Sequence, residues 1–132
     1  MSEPVPPPLP APTGEIVIRT IAMPADTNAN GDIFGGWLVS QLDLGGAILA
    51  RNTARSRVVT VAINAMSFVA PVRVGDVVTC YAKLLGIGRS SLQIHVEAWV
   101  EHYAHSDARR VTEGTFTYVA IDDDGKPHAV QR

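Results

Sequence analysis

Asp43 is the only acid in an apolar, small-residue segment, Gly35–Thr53, of this 132-residue chain. A carboxylate among such neighbours can act as a general base or a nucleophile, because desolvation raises its pKa toward neutrality. It can equally be a structural acid satisfied by local donors, and the residue types leave both readings open. The loop ahead of it bears on the choice. Asn28, Asn30, Gly31, Asp32, Gly35 and Gly36 all fall just before or at the start of the segment. Backbone N–H groups at a helix N-terminus can polarise a carbonyl oxygen, and paired glycines let a substrate come close. Taken singly, Asn28, Asn30 and Asp32 read as turn or capping residues. Other chemistries lack an anchor. His95, His102, His105 and His128 have no metal-ligand spacing and read as surface residues. The lone Cys80 sits in an apolar run and reads as a small buried hydrophobe. No G-x-S-x-G elbow, P-loop or dinucleotide fingerprint occurs.

These residues need elements to hold them. Gly35–Thr53 reads as a helix with Leu38, Leu42, Gly45 and Leu49 on one stripe. Trp37, Leu44 and Ile48 form a second apolar flank, so the helix is expected to be largely enclosed. Its remaining face carries Gly36, Val39, Ser40, Asp43, Gly46, Ala47 and Ala50. Ile16–Ile21 reads as a first strand, and Val58–Val69, Val74–Leu85, Ser91–His102 and Val111–Ile121 as four more. Leu92, Ile94, Val96, Ala98 and Val100 alternate with Ser91, Gln93, His95, Glu97, Trp99 and Glu101. That pattern predicts an antiparallel sheet with one buried face, covered by the helix.

Six prolines in the first twelve residues make residues 1–13 an extended or disordered tail ahead of one domain, 14–132. Net charge is −2, which disfavours nucleic-acid binding. No apolar run reaches the ~18 residues that span a bilayer, and no signal peptide is visible, so the expected location is the cytoplasm. Charged residues are 18% of the chain, below the ~25% usual for soluble domains, which points to surface hidden in a partner copy.

The stretch TIAMPADTNANGDIFGGWLVSQLDLGGAILA (20–50) resembles the YciA-type acyl-CoA thioesterases of the hotdog-fold superfamily. The similarity continues through RVVTVAINAMSFVAPVRVGDVV (57–78), GRSS (88–91) and YVAIDDDGKP (118–127). It implies an α+β hotdog fold, an antiparallel five-stranded sheet wrapped around one long central helix. It further implies hydrolysis of acyl-CoA to a free acid and coenzyme A, without metal or separate cofactor. The assembly it implies is a homodimer with joined sheets, built up into a hexameric trimer of dimers with active sites between subunits. By this resemblance Asp43 is the catalytic acid and Asn28 of the opposite subunit its partner. The N-terminus at Gly35 and Gly36 donates to the thioester carbonyl, and Arg89, Ser90 and Ser91 match a loop that approaches CoA. The chain departs from the pattern at Asn64, where relatives often carry an acid, and at Ala70, where they often carry Lys or Arg. Two alternatives are a hotdog acyl-thioester dehydratase, which usually needs a histidine near the helix, and a non-catalytic acyl-CoA sensor, which needs an effector module.

Overall fold

The computed structural model describes residues 11–104 and 107–130. Its elements are β1 (Glu15–Ile21), a single 3-10 turn (Pro24–Asp26), α1 (Gly35–Ala54), β2 (Arg57–Phe68), β3 (Val77–Ile87), β4 (Ser91–Glu101) and β5 (Arg109–Ile121). The strands form one sheet in the order β1-β3-β4-β5-β2, and every pairing is antiparallel. This is the sheet-and-helix arrangement expected from the sequence.

Helix α1 lies across one face of the sheet. Leu38, Leu42, Gly45, Gly46, Ala50 and Ala54 are its buried positions, and Val78, Ile94, Val96, Phe116 and Tyr118 belong to the same core. Two glycines set how closely the helix sits. A methyl on Gly45 would come within 2.6 Å of the Val17 side chain, and one on Gly46 would land on the Tyr118 hydroxyl. Glycine in mid-helix costs roughly 1 kcal/mol in propensity, so its use here reflects close packing.

Three expectations need correction. β3 begins at Val77 because Val74–Asp76 form a turn; Gly75 has φ 92°, and the Asp76 carboxylate accepts the Arg73 N–H at 2.9 Å. β4 is not buried on one face alone: Val96 through Val100 are all buried, and Glu97 and Trp99 are covered on the outward face. Thr13 and Arg110 approach Glu97 there. Nor is the helix enclosed, since Leu44 is 58% exposed and Ile48 39%.

That exposed flank has a companion in β2, an edge strand with a single neighbour. Val59, Val61, Ile63 and Phe68 are exposed large hydrophobics along it. It has neither lysine nor proline to block pairing, and a long apolar edge of this kind invites another strand. Its register against β5 breaks between Asn64 and Ser67, where Ala65 takes φ 57°.

The registers also define two ends of the sheet. The β3–β4 turn, the end of β5 and the start of β2 lie together, since Ser91 pairs with Val119 and Arg57 with Ile121. The opposite end holds Phe68 and the start of α1, with the Phe68 ring about 3.5 Å from where a Gly35 side chain would begin. Among the described residues no helix is long and apolar enough to cross a membrane. Residues 1–10 of the proline-rich tail lie outside the described part, while Ala11–Thr13 are exposed.

Candidate active site

Asp43 projects from mid-helix toward the junction of β2 and β5, where two hydroxyls hold it. Thr60 Oγ1 donates to Asp43 Oδ1 at 2.6 Å. Tyr118 Oη donates to the Asp43 carbonyl oxygen at 2.8 Å and reaches Oδ1 at 3.2 Å. Thr60 and Tyr118 are cross-strand partners, so one rung of the β2–β5 ladder delivers both groups. Burial and the neighbouring Asp43 charge push the Tyr118 phenol far above its ordinary pKa. It is therefore a permanent donor. Both hydroxyls converge on Oδ1 rather than Oδ2. Neither residue was singled out from the sequence. The available signal was a hydroxyl at an inward position of each strand, Tyr118 between Phe116 and Ala120, and Thr60 two after Val58.

Asn28 sits in the loop before the helix. Its Oδ1 accepts from the backbone N–H of Asn30 at 2.9 Å and of Asp32 at 3.2 Å, while its own N–H donates to the Asp32 carbonyl at 2.7 Å. Because backbone N–H groups can only donate, the amide oxygen must face them, and Nδ2 is the end left to meet a ligand. The turn-forming role of Asn28 and a site role are thus compatible. The loop is tied down by Ile33 N–H to the Val72 carbonyl and Phe34 N–H to the Asp26 carbonyl, both 2.9 Å.

The helix N-terminus is unblocked. Phe34 occupies the N-cap and offers no side-chain cap. The helical ladder starts with Trp37 and Leu38 donating to the Phe34 carbonyl at 3.1 and 3.3 Å. The N–H groups of Gly35 and Gly36 precede it, and a side chain at Gly36 would meet no atom within 4 Å. A cavity of about 340 Å³ opens beside this end, lined by Ile33, Gly35, Leu38, Phe68, Ala70 and Val72. Ala70, one departure from the family pattern, faces it; Asn64, the other, is exposed on β2.

Arg89, Ser90 and Ser91 lie at the far end of the sheet from Gly35 and Gly36. The C-terminal segment anchors their turn, with Val130 N–H on the Arg89 carbonyl at 2.7 Å and Ala120 N–H on the Ser90 carbonyl at 2.8 Å. One chain therefore does not bring the candidate residues to one point. Asp43 and the Gly88–Ser91 turn belong to one end and the middle, Asn28 and the helix N-terminus to the other.

Two histidines expected on the surface are instead half-buried against carboxylates. His102 Nδ1 bonds Asp76 Oδ1, and His95 Nε2 lies 3.2 Å from Glu97 and 3.4 Å from Glu113. His128 bonds the neighbouring Ala129 carbonyl, and His105 lies outside the described residues. The ligand atoms of His95, Glu97 and Glu113 all fall within 4.8 Å of one another, a spacing a metal could use. Arg110 already fills that role, 3.3 Å from Glu113 and 3.9 Å from Glu97. Burial would raise the Glu97 pKa, but the Thr13 hydroxyl, the Trp99 indole, the Thr13 N–H and His95 outweigh it, and the carboxyl titrates below its ordinary range. Cys80 is fully buried as expected, and desolvation pushes its thiol up to about 12.

A model of the thioesterase superfamily matches residues 30–103, which span the end of the loop, the helix and strands β2 to β4. The acyl-CoA thioester hydrolase YciA of Salmonella typhimurium is 57% identical over 119 residues, 88% of this chain and 90% of its own. The chain is a YciA-type thioesterase of the hotdog-fold superfamily. Solved structures of such thioesterases agree with its fold. A hexameric thioesterase from Yersinia pestis superposes with a TM-score of 0.88 at 56% identity, covering 92% of this chain and 99% of that one. HI0827, described as a hexameric broad-specificity acyl-coenzyme A thioesterase, gives 0.89 at 51% identity over 93% of this chain and 85% of that one.

Proposed function

We propose that the chain hydrolyses acyl-CoA thioesters to a carboxylic acid and coenzyme A, at sites each built from two copies of itself. The observation that carries the two-copy reading is a distance. A reacting carbonyl must lie ~3 Å from both the attacking group and the oxyanion donors. Gly36 and Asp43 are seven residues apart on one continuous helix, about 10 Å along its axis. No substrate carbon can satisfy both within a chain. A second copy closes that gap. The apolar β2 edge and the exposed Leu44–Ile48 flank supply the surface for a two-fold pairing. Such pairing reverses one helix relative to the other, which sets Gly36 and Asn28 of one copy against Asp43 of its partner. Three such dimers would form the hexamer in which the two crystallised relatives above occur.

In this arrangement Asp43 Oδ2 takes a proton from water as its oxygen attacks the thioester carbon. Alternatively Oδ2 attacks that carbon itself, giving an anhydride that water opens; the placement serves both routes. The carbonyl oxygen becomes negative and meets the Gly36 N–H and Asn28 Nδ2. Oxyanion donors of this kind are worth about 2.7–4 kcal/mol each. The C–S bond then breaks and the CoA thiolate leaves; it recovers the proton that Asp43 took from water on the first route, and on the second a proton from the water that opens the anhydride. The scheme calls on no metal and no redox cofactor. Residues 14–132 form the catalytic domain, and a cytoplasmic location suits a CoA-linked substrate.

The test is release of free thiol from acyl-CoAs of graded chain length. Cys80 does not compete for the thiol reagent, because it is buried and its thiolate is suppressed. Saturable thiol release that disappears in Asp43→Ala supports the reading; no release from any acyl-CoA overturns it.

A further inference from the structure

Strand β2 carries an irregularity that neither the catalytic acid nor the pairing of copies explains. Ile63 pairs with Phe116 on β5, and Phe68 pairs with Thr112. Phe116 and Thr112 are four residues apart and both fully buried, so both face the helix side. Ile63 and Phe68 are five apart, and in a regular strand they would point to opposite faces. One extra residue, in the stretch between Asn64 and Ser67 where the register shifts, returns Phe68 to the helix side. The bulge is kept despite backbone strain, and β5 makes room for it. Ala65 takes a φ of 57°, a conformation that side-chain-bearing residues rarely adopt. Met66 crosses β5 at Gly114, where a methyl would come within 2.8 Å of the Met66 Cγ and 3.3 Å of the Asn64 carbonyl oxygen.

What the bulge delivers is the Phe68 ring. Three of its atoms lie 3.5–3.8 Å from where a Gly35 side chain would begin, one residue before the Gly36 N–H. The ring walls the cavity of about 340 Å³ at the helix N-terminus, and the buried side chains of Ile33, Leu38 and Val72 form its floor. Among the described residues the lining is apolar apart from Asp32. A thioester carbonyl held at the Gly36 N–H carries the acyl chain on one side of its carbon and sulfur on the other. The acyl chain is the apolar one of the two, and an apolar cavity beside Gly35 suits it. Hydrocarbon fills buried space at roughly 25 Å³ per carbon, so the cavity takes at most about thirteen carbons.

We propose that Phe68, returned to the helix side by the bulge at Ala65 and Met66, determines which acyl chains are accepted. Its ring packs along the chain and steers it from the carbonyl at Gly36 onto the cavity floor. The inference rests on the acyl-CoA reading and concerns the acyl part alone. Each methylene buried against this wall raises kcat/KM by up to about fourfold, and the gain ends where the cavity ends.

The experiment measures kcat/KM by thiol release for straight-chain acyl-CoAs from acetyl to hexadecanoyl. The wild type should gain with chain length and stop gaining by about thirteen carbons. Phe68→Ala should lower the octanoyl-to-acetyl ratio of kcat/KM about tenfold, and Phe68→Leu about threefold. Ala70→Leu adds three carbons to the cavity lining and should shorten the longest well-accepted chain by about three carbons. Deleting Ala65 removes the bulge and should flatten the profile as Phe68→Ala does. Equal losses at every chain length in Phe68→Ala, an unchanged ratio, an Ala70→Leu protein with the wild-type limit, or an Ala65 deletion with the wild-type profile would overturn the proposal. If Phe68→Ala or the deletion does not fold, Phe68→Leu and Ala70→Leu decide it by the same ratios. A wild type that hydrolyses no acyl-CoA fails the acyl-CoA reading itself. One that hydrolyses every chain length equally well fails the Phe68 proposal and leaves that reading standing.

Discussion

Thr60→Val removes one hydroxyl and little else. Valine keeps the β-branch and the strand propensity of threonine, so β2 should form as before. What is lost is the 2.6 Å bond to Asp43 Oδ1, leaving only the 3.2 Å contact from Tyr118, whose hydroxyl is shared with the Asp43 carbonyl. Hydrogen bonds to charged groups contribute about 1.5–3 kcal/mol, and Thr60 is exposed in the single chain, so the low end applies. About 1.5 kcal/mol of positioning energy corresponds to roughly a tenfold fall in kcat. KM should move by less than about twofold, because Thr60 holds the acid rather than the substrate. Steady-state thiol release from a saturating acyl-CoA measures both constants, and Thr60→Ser should restore most of kcat. If Thr60→Val keeps kcat within about twofold of the wild type, or if KM rises while kcat holds, Thr60 does not position the acid.

Gly46→Ala places a methyl on the Tyr118 hydroxyl and should lower both kcat and Tm; adding Tyr118→Phe should recover stability but not kcat, and a fully active Gly46→Ala would show that the Tyr118 contact is dispensable. Thr13→Ala should cost about 1–2 kcal/mol in denaturant melts near neutral pH, because the buried Glu97 loses the Thr13 hydroxyl and keeps only the backbone N–H of that residue. Glu97 is held below its ordinary pKa in the folded state, so its contribution is full above the ordinary carboxylate range and fades as pH falls through the depressed folded value. The difference between wild type and Thr13→Ala should therefore shrink in acid, and a gap that widens there would contradict the assignment. Deleting residues 1–12 leaves Thr13 in place and should not change Tm.

The element order and the helix carrying Asp43 were legible because hydrophobic periodicity and turn residues are local signals. The family resemblance made Asn28, Asp43, Gly36 and the Arg89–Ser91 turn candidates together. Thr60 and Tyr118 escaped notice because they lie 17 and 75 residues from Asp43, and only the β2–β5 register makes them neighbours. Glu97 and Trp99 were misread as solvent-facing because strand alternation describes one sheet in isolation. It cannot register that Thr13 and Arg110 would approach Glu97. The enclosed helix predicted from its composition is half correct in one chain: its sheet-facing stripe is buried, while Leu44 and Ile48 still face outward.

A site shared between copies requires Asn28 of one chain to serve Asp43 of the other. Subunit mixing tests it most directly. Asn28→Ala and Asp43→Ala proteins should each be nearly inactive. When they are unfolded, mixed in equal amounts and refolded, half the dimers should be mixed, and each of those should contain one intact site of two. Activity should then return to about a quarter of wild type. If mass spectrometry shows that mixed dimers have formed and activity stays at the level of the single variants, the two residues do not meet across an interface and the account is wrong.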